Sequence, residues 1–127
     1  MHPLHRRHLL GLGLALALPC LPAAAQTWPE KSLRIMVGAS PGGGTDILAR
    51  MLADKLAPSL KQSVVVENRP GASNTIAADM TAHAAPDGTT LLLATNTGQA
   101  VAPHLLKLKF DPLKDLQPLG LVAVMPN

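Results

Sequence analysis

Hydrophobic positions along this chain switch between short unbroken runs and longer stretches of helical spacing. Leu33-Arg34-Ile35-Met36-Val37 is a short apolar run that stops at Gly38 and reads as a strand. From Thr45 onward, Ile47, Leu48, Met51, Leu52, Leu56 and Leu60 fall on one helical stripe. Asp46 lies in the first turn of that helix, where an acid complements the helix dipole. Val64-Val65-Val66 forms a second strand, stopped by Asn68-Arg69-Pro70-Gly71. A weaker helix carries Ile76, Ala77, Met80 and Ala84 on one face, and Pro86-Asp87-Gly88 is a turn. Leu91-Leu92-Leu93-Ala94 is a third strand, followed by the polar loop Thr95-Asn96-Thr97-Gly98 and a short helix over about Gln99 to Leu105. Asp111-Pro112 and Gln117-Pro118 bracket an irregular crossing, and Leu119 to Val124 reads as a fourth strand. Met51 and Met80 are expected to fill the core.

Strands alternating with helices at this spacing predict an α/β fold with a parallel sheet flanked by helices. The strands are continuous apolar runs, as expected where helices cover both sheet faces. Crossovers of this kind are right-handed, which fixes the winding. An apolar final strand followed by nothing that covers it reads as truncation, since an exposed apolar edge invites aggregation.

The first 25 residues follow another pattern. Arg6 and Arg7 supply positive charge, Leu9 to Leu18 is unbroken Leu, Gly and Ala, and Ala23-Ala24-Ala25 precedes Gln26. That order predicts a signal peptide cleaved near Ala25/Gln26 and a protein working in the periplasm. The ten-residue apolar core is too short for a bilayer, which needs about 20 residues, so no stable membrane insertion is expected after cleavage. Arg6-Arg7-His8-Leu9-Leu10 resembles a twin-arginine signal, and an ordinary Sec signal carrying two arginines reads equally well. Cys20 follows Pro19 rather than a small residue, which argues against lipidation.

Composition then narrows the chemistry of residues 26–127. The only cysteine, Cys20, leaves with the signal, so disulfides and thiolate sites are not expected. Nine Lys/Arg face eight Asp/Glu in the remaining segment, and no basic patch suggests nucleic acid. Trp28 and Phe110 are its only aromatic residues, which leaves no stacking platform. A segment of this size can bury one core but not two lobes.

Ligands of open parallel sheets bind at the carboxyl ends of the strands. Two loops qualify, Ala39 to Thr45 after strand one and Thr95 to Gly98 after strand three; they meet if those strands are neighbours. Gly42-Gly43-Gly44 lets backbone approach a ligand, and the following helix offers free N–H groups and a positive dipole end, an anion site. Ser40 and Thr45 add hydroxyls, and no Lys or Arg lies in the loop, so a carboxylate would be held by amides and hydroxyls. Asp46 would repel a carboxylate in direct contact; it is expected to bond back to loop N–H groups or to act through water. A plain strand-to-helix turn is the other reading of this loop. Gly44-Thr45-Asp46 lacks the lysine of a nucleotide P-loop, and three consecutive glycines do not make a dinucleotide fingerprint. His83 and His104 have no metal-ligand spacing and read as surface residues, and Ser40 has no partner base. Asn68-Arg69-Pro70-Gly71 reads as a loop of fixed geometry, with Arg69 within reach of a ligand as its second reading. No cofactor is expected.

Five segments in order carry a family resemblance: Trp28-Pro29-Glu30-Lys31-Ser32-Leu33-Arg34-Ile35, Ser40 to Arg50, Val65 to Ala72, Ala85 to Leu91, and Phe110 to Leu116. Together they resemble the Bug family, the solute-binding proteins of tripartite tricarboxylate transport systems. The resemblance implies part of lobe one of a type II periplasmic binding protein fold over residues 26–127. It implies capture of a small carboxylate or related amide, membrane transporter subunits as partners, and no enzymatic activity. It also implies a ligand site at Ala39, Ser40, Pro41, Gly42, Gly43, Gly44, Thr45 and Asp46, with Asn96, Thr97 and Gly98 opposite. Gly38-Ala39 departs from the Pro-Phe-like pair of the family, Ser73-Asn74 stands where glycines are usual, and Thr89 takes an aromatic position. The family runs to roughly three times this length, so a site enclosed by two lobes is expected to be half present and weak alone. The reading from another class is an exported α/β enzyme acting on an anionic substrate; a third is a non-functional truncated remnant.

Overall fold

A computed structural model describes residues 28–124. The predicted signal segment, with Cys20, lies outside the described residues. Strand β1 (Leu33–Val37) leads to helix α1 (Gly44–Leu60), strand β2 (Val64–Asn68), helix α2 (Thr75–Ala82) and strand β3 (Thr90–Leu93). A 3-10 turn at Ala72–Asn74 precedes α2, and a π turn at Thr97–Val101 runs into helix α3 (Ala102–Leu105).

The sheet is parallel with order β2-β1-β3, so β1 is central. Ile35 pairs with Val66 on one side and with Leu91 on the other, while Val37 pairs with Asn68 and Leu93. The chain leaves β1 toward one side and returns from β2 to the other. Right-handed crossovers in opposite directions put α1 and α2 on opposite faces. The loops after β1 and β3 therefore open side by side at the carboxyl edge, as expected for adjacent strands.

The core sits under α1, where Ile35, Val37, Ala49 and Ala53 are buried together with Leu52, Leu56, Val64, Val66, Leu91 and Leu93 against them. Met36 projects to the other face and is also buried, on the side where α2 packs against β1 and β3. Two helix faces differ from the sequence reading. Ala49 and Ala53 face the sheet, whereas Ile47 is 53% and Met51 60% exposed. In α2, Thr75, Ala77 and Ala78 are buried while Ile76 and Met80 stay exposed. Small side chains let a helix approach a three-stranded sheet closely, and the larger apolar residues are displaced to the flanks. Met51 and Met80 are thus not core residues.

The fourth strand is a second correction. Leu119 to Val124 takes no strand conformation, pairs with none of the described strands and is exposed throughout. Apolar composition favours a strand only where a neighbouring edge completes the ladder. The short helix after β3 forms, but its first turn is π rather than α. The Ala72–Asn74 turn is left-handed at all three residues, with φ of 44°, 55° and 70°.

Gly38 is fixed by close approach. A Cβ there would lie 2.6 Å from Asn74 Cβ, 2.7 Å from its Cα and 2.9 Å from its carbonyl oxygen. Because most of that obstacle is backbone, Gly38→Ala should lower the unfolding free energy by about 1–3 kcal/mol in urea titration. Asn74→Gly in the same chain should recover only part of the loss, since the Asn74 Cα and carbonyl remain.

Candidate functional site

The loop after β1 is built around one carboxylate. Asp46, in the first turn of α1, is 2% exposed. Its Oδ2 accepts from the Gly42 N–H at 2.8 Å and from Arg50 Nε at 3.1 Å; its Oδ1 accepts from Asn68 Nδ2 at 2.9 Å and lies 3.0 Å from Arg50 Nη2. Asn68 Nδ2 also donates to the Ala39 carbonyl at 3.0 Å. Asp46 therefore bonds back to the loop, as its position in the sequence suggested, and sits beneath it rather than in the opening. The Arg50 guanidinium, then the Gly42 amide and the Asn68 side chain, push its carboxyl down to about 2 from an ordinary 3.8.

Above this anchor the loop closes tightly. Gly42 has φ of +82°, a conformation that favours glycine, and the Gly43 N–H donates to the Ser40 carbonyl at 3.1 Å. Gly43 precedes α1 without any side-chain cap. The N–H groups of Gly44, Thr45 and Asp46 thus begin the helix with no intrahelical acceptor, at the positive end of its dipole. Ser40 is exposed and Thr45 half-buried.

The neighbouring loop after β3 starts at Thr95, whose hydroxyl accepts from Asn74 Nδ2 at 2.9 Å and from the Gly98 N–H at 3.3 Å. Asn96 and Thr97 are exposed and Gly98 is buried. A cleft of about 1050 Å³ runs from these loops along β3 to the segment 115–124. Thr45, Asn96 and Thr97 line it, and so do Asn74 and Thr95. The other predicted residues, Ala39, Ser40, Pro41, Gly42, Gly43, Gly44 and Gly98, belong to the same two loops. Asn68, Asn74 and Thr95 were missed as site residues; the hydroxyl of Thr95 at a strand end was the available signal, while the other two act over 21 to 29 residues of sequence.

Arg69 does not reach the opening: its guanidinium pairs with Glu67, and its N–H donates to the Val37 carbonyl at 2.8 Å. His83 and His104 are exposed. At the opposite, amino edge of the sheet a smaller recess of about 420 Å³ is lined by Trp28, Glu30, Lys31, Asp87 and Thr89. Its Asp87 is paired with Lys31 at 2.7 Å and accepts from Thr89 Oγ1 and N–H. Lys31, and then Thr89, hold that carboxyl well below the usual range, so the charge of Asp87 in this recess is already paired. Among the described residues no group of three or more His, Cys, Asp or Glu could hold a metal ion.

The family model described as tripartite tricarboxylate transporter family receptor matches residues 48–127. The chain belongs to this receptor family. A UPF0065 protein of Bordetella bronchiseptica is 45% identical over 121 residues, covering 94% of this chain and 36% of the relative. The solved structure of MatC from Rhodopseudomonas palustris, with bound malate, is 38% identical with a TM-score of 0.66, over 69% of this chain and 30% of that one. A second R. palustris protein, solved with adipate, is 39% identical with a TM-score of 0.53, over 54% and 23%. This receptor chain thus spans about a third of the length of the relatives it matches.

The Asp46 anchor makes a pH-dependent contribution of known sign. Its folded pKa is lowered, so the contribution is complete above the unfolded value of 3.8 and fades as pH falls toward about 2. Asp46→Asn should therefore lower the melting temperature most at neutral pH, and the gap to the unaltered chain should narrow between about pH 4 and pH 2. Thermal melts across pH 2–7 measure this.

Proposed function

We propose that residues 26–127 form part of lobe one of a periplasmic solute-binding protein that captures a small carboxylate for a tripartite tricarboxylate-type transporter. The observation that carries the reading is the pair of adjacent loops at the carboxyl edge. One offers the three unpaired N–H groups at the start of α1 with the Ser40 and Thr45 hydroxyls, and the other offers Asn96, Thr97 and Gly98. A carboxylate accepts hydrogen bonds only, and a set made of donors and a helix dipole end suits it without a formal counter-ion. The buried charge of Asp46 is paired with Arg50, which keeps it from opposing an anion at the loop.

Malate on MatC and adipate on the second R. palustris protein support the ligand class. Membership of the receptor family supports delivery to membrane transporter subunits and a binding rather than a catalytic role. Residues 1–25 act as the export signal, and no described helix is long and apolar enough to cross a membrane. With one side of the cleft supplied by this chain, affinity is low, because enclosure of most of the ligand surface normally provides it.

Titration of the 15N-labelled chain with malate and adipate should shift the amide signals of Gly42 to Asp46 and Asn96 to Gly98 selectively. The neutral dimethyl esters should not. Absence of shifts, or equal shifts with the esters, would overturn the carboxylate reading. For export, mass spectrometry of the periplasmic product should find a chain that starts at Gln26; retention of residues 1–25 would contradict the signal reading.

A further inference from the structure

We infer that Asn74 and Thr95 form a hydrogen-bond relay that makes the Thr95 hydroxyl an obligate donor to the bound carboxylate. The inference rests on the carboxylate reading above and adds two residues from outside its donor set. A hydroxyl has two acceptor positions and one proton. At Thr95 Oγ1 both acceptor positions are taken, by Asn74 Nδ2 at 2.9 Å and by the Gly98 N–H at 3.3 Å. What remains is the proton, and among the described residues no acceptor receives it. Thr95 is half-buried and lines the cleft together with Thr45 and Thr97. A proton presented there without an internal partner fits a ligand oxygen that can only accept.

Asn74 is the residue that sets this polarity, and its place is over-determined. It sits at φ 70°, a left-handed conformation that Asn tolerates better than most side chains. Its N–H donates to the Gly71 carbonyl at 2.9 Å, and its Cβ, Cα and carbonyl press on the space above Gly38. It also abuts Gly98, where an added Cβ would lie 3.4 Å from Asn74 Cβ and 3.5 Å from Thr95 Oγ1. The turn before α2 is thereby locked to the loop after β3. Asn74 is a positioning residue: it acts on the ligand through Thr95.

The test measures the malate dissociation constant of the full chain and four variants from amide shifts. Thr95→Val removes the proton and should weaken binding roughly tenfold or more, the usual worth of a hydrogen bond to a charged group. Thr95→Ala repeats this without the β-branched side chain, and Thr95→Ser should restore near-normal affinity. Asn74→Gly keeps the left-handed turn, removes the relay donor and should weaken binding severalfold. Combined with Thr95→Val it should add nothing further, because both act through one hydroxyl. Full affinity in both Thr95→Val and Thr95→Ala would overturn the role of Thr95, and additive losses in the double variant would overturn the relay. No binding by the unaltered chain would overturn the carboxylate reading itself, a result separate from either.

Discussion

The Asp46 carboxylate is the point on which the carboxyl edge of this sheet depends. Its two oxygens gather donors from the loop after β1, from α1 and from the last residue of β2. Three segments are thereby held in one geometry, with the Asn68 side chain tying β2 to the loop a second time through the Ala39 carbonyl. A glycine-rich loop has much conformational freedom to lose on folding, and glycine loses more than any other residue. A buried charge that needs several donors is a strong reason for the loop to take one shape, because leaving such a charge unpartnered is very costly. The loop's flexibility is thus removed by an acid that is itself buried beneath it.

The same arrangement resolves a conflict in the sequence. A negative side chain in the first turn of a helix competes with an external anion for the same dipole end. Here burial and Arg50 separate the two roles. Asp46 faces inward and takes one loop amide, that of Gly42, while the amides of Gly44, Thr45 and Asp46 itself stay outside its reach. Arg50, one turn further along α1, supplies the compensating charge at 3.0 Å. On the proposed reading an anion would meet neutral donors here, with the Asp46 and Arg50 charges already paired to each other.

Much of this was legible in the chain. The three strands, the two main helices and the parallel order follow from short apolar runs separated by helical spacing. The glycine loop and the polar loop after β3 follow from residue type at strand ends. What escaped were features set by packing distance. Of the stripe Ile47, Leu48, Met51, Leu52, Leu56 and Leu60, Leu52 and Leu56 do pack on the core, while Ile47 and Met51 are exposed and Ala49 and Ala53 lie against β1, because a small contact surface permits closer approach. Leu119 to Val124 has strand composition but pairs with none of the described strands. The Asn74–Thr95 bond escaped for another reason. It joins two loops 21 residues apart, and its existence depends on a left-handed turn over Ala72-Ser73-Asn74, of which only Asn74 carries a residue-type signal for that conformation.

Recognition and enclosure are separable in this architecture. All the donors assigned to the ligand lie between Ser40 and Gly98, on loops that the central position of β1 places side by side. Their geometry is fixed by contacts within that span: Asp46 under the first loop and Asn74 against the second. On the proposed reading, orientation of a carboxylate is therefore a local property of one sheet edge. Affinity is not local, because it grows with the ligand surface withdrawn from water, and among the described residues the cleft runs along β3 to the largely exposed segment 115–124. On the proposed reading, orientation and retention of a ligand are thus set by different features: orientation by contacts within the Ser40 to Gly98 span, retention by the amount of ligand surface withdrawn from water.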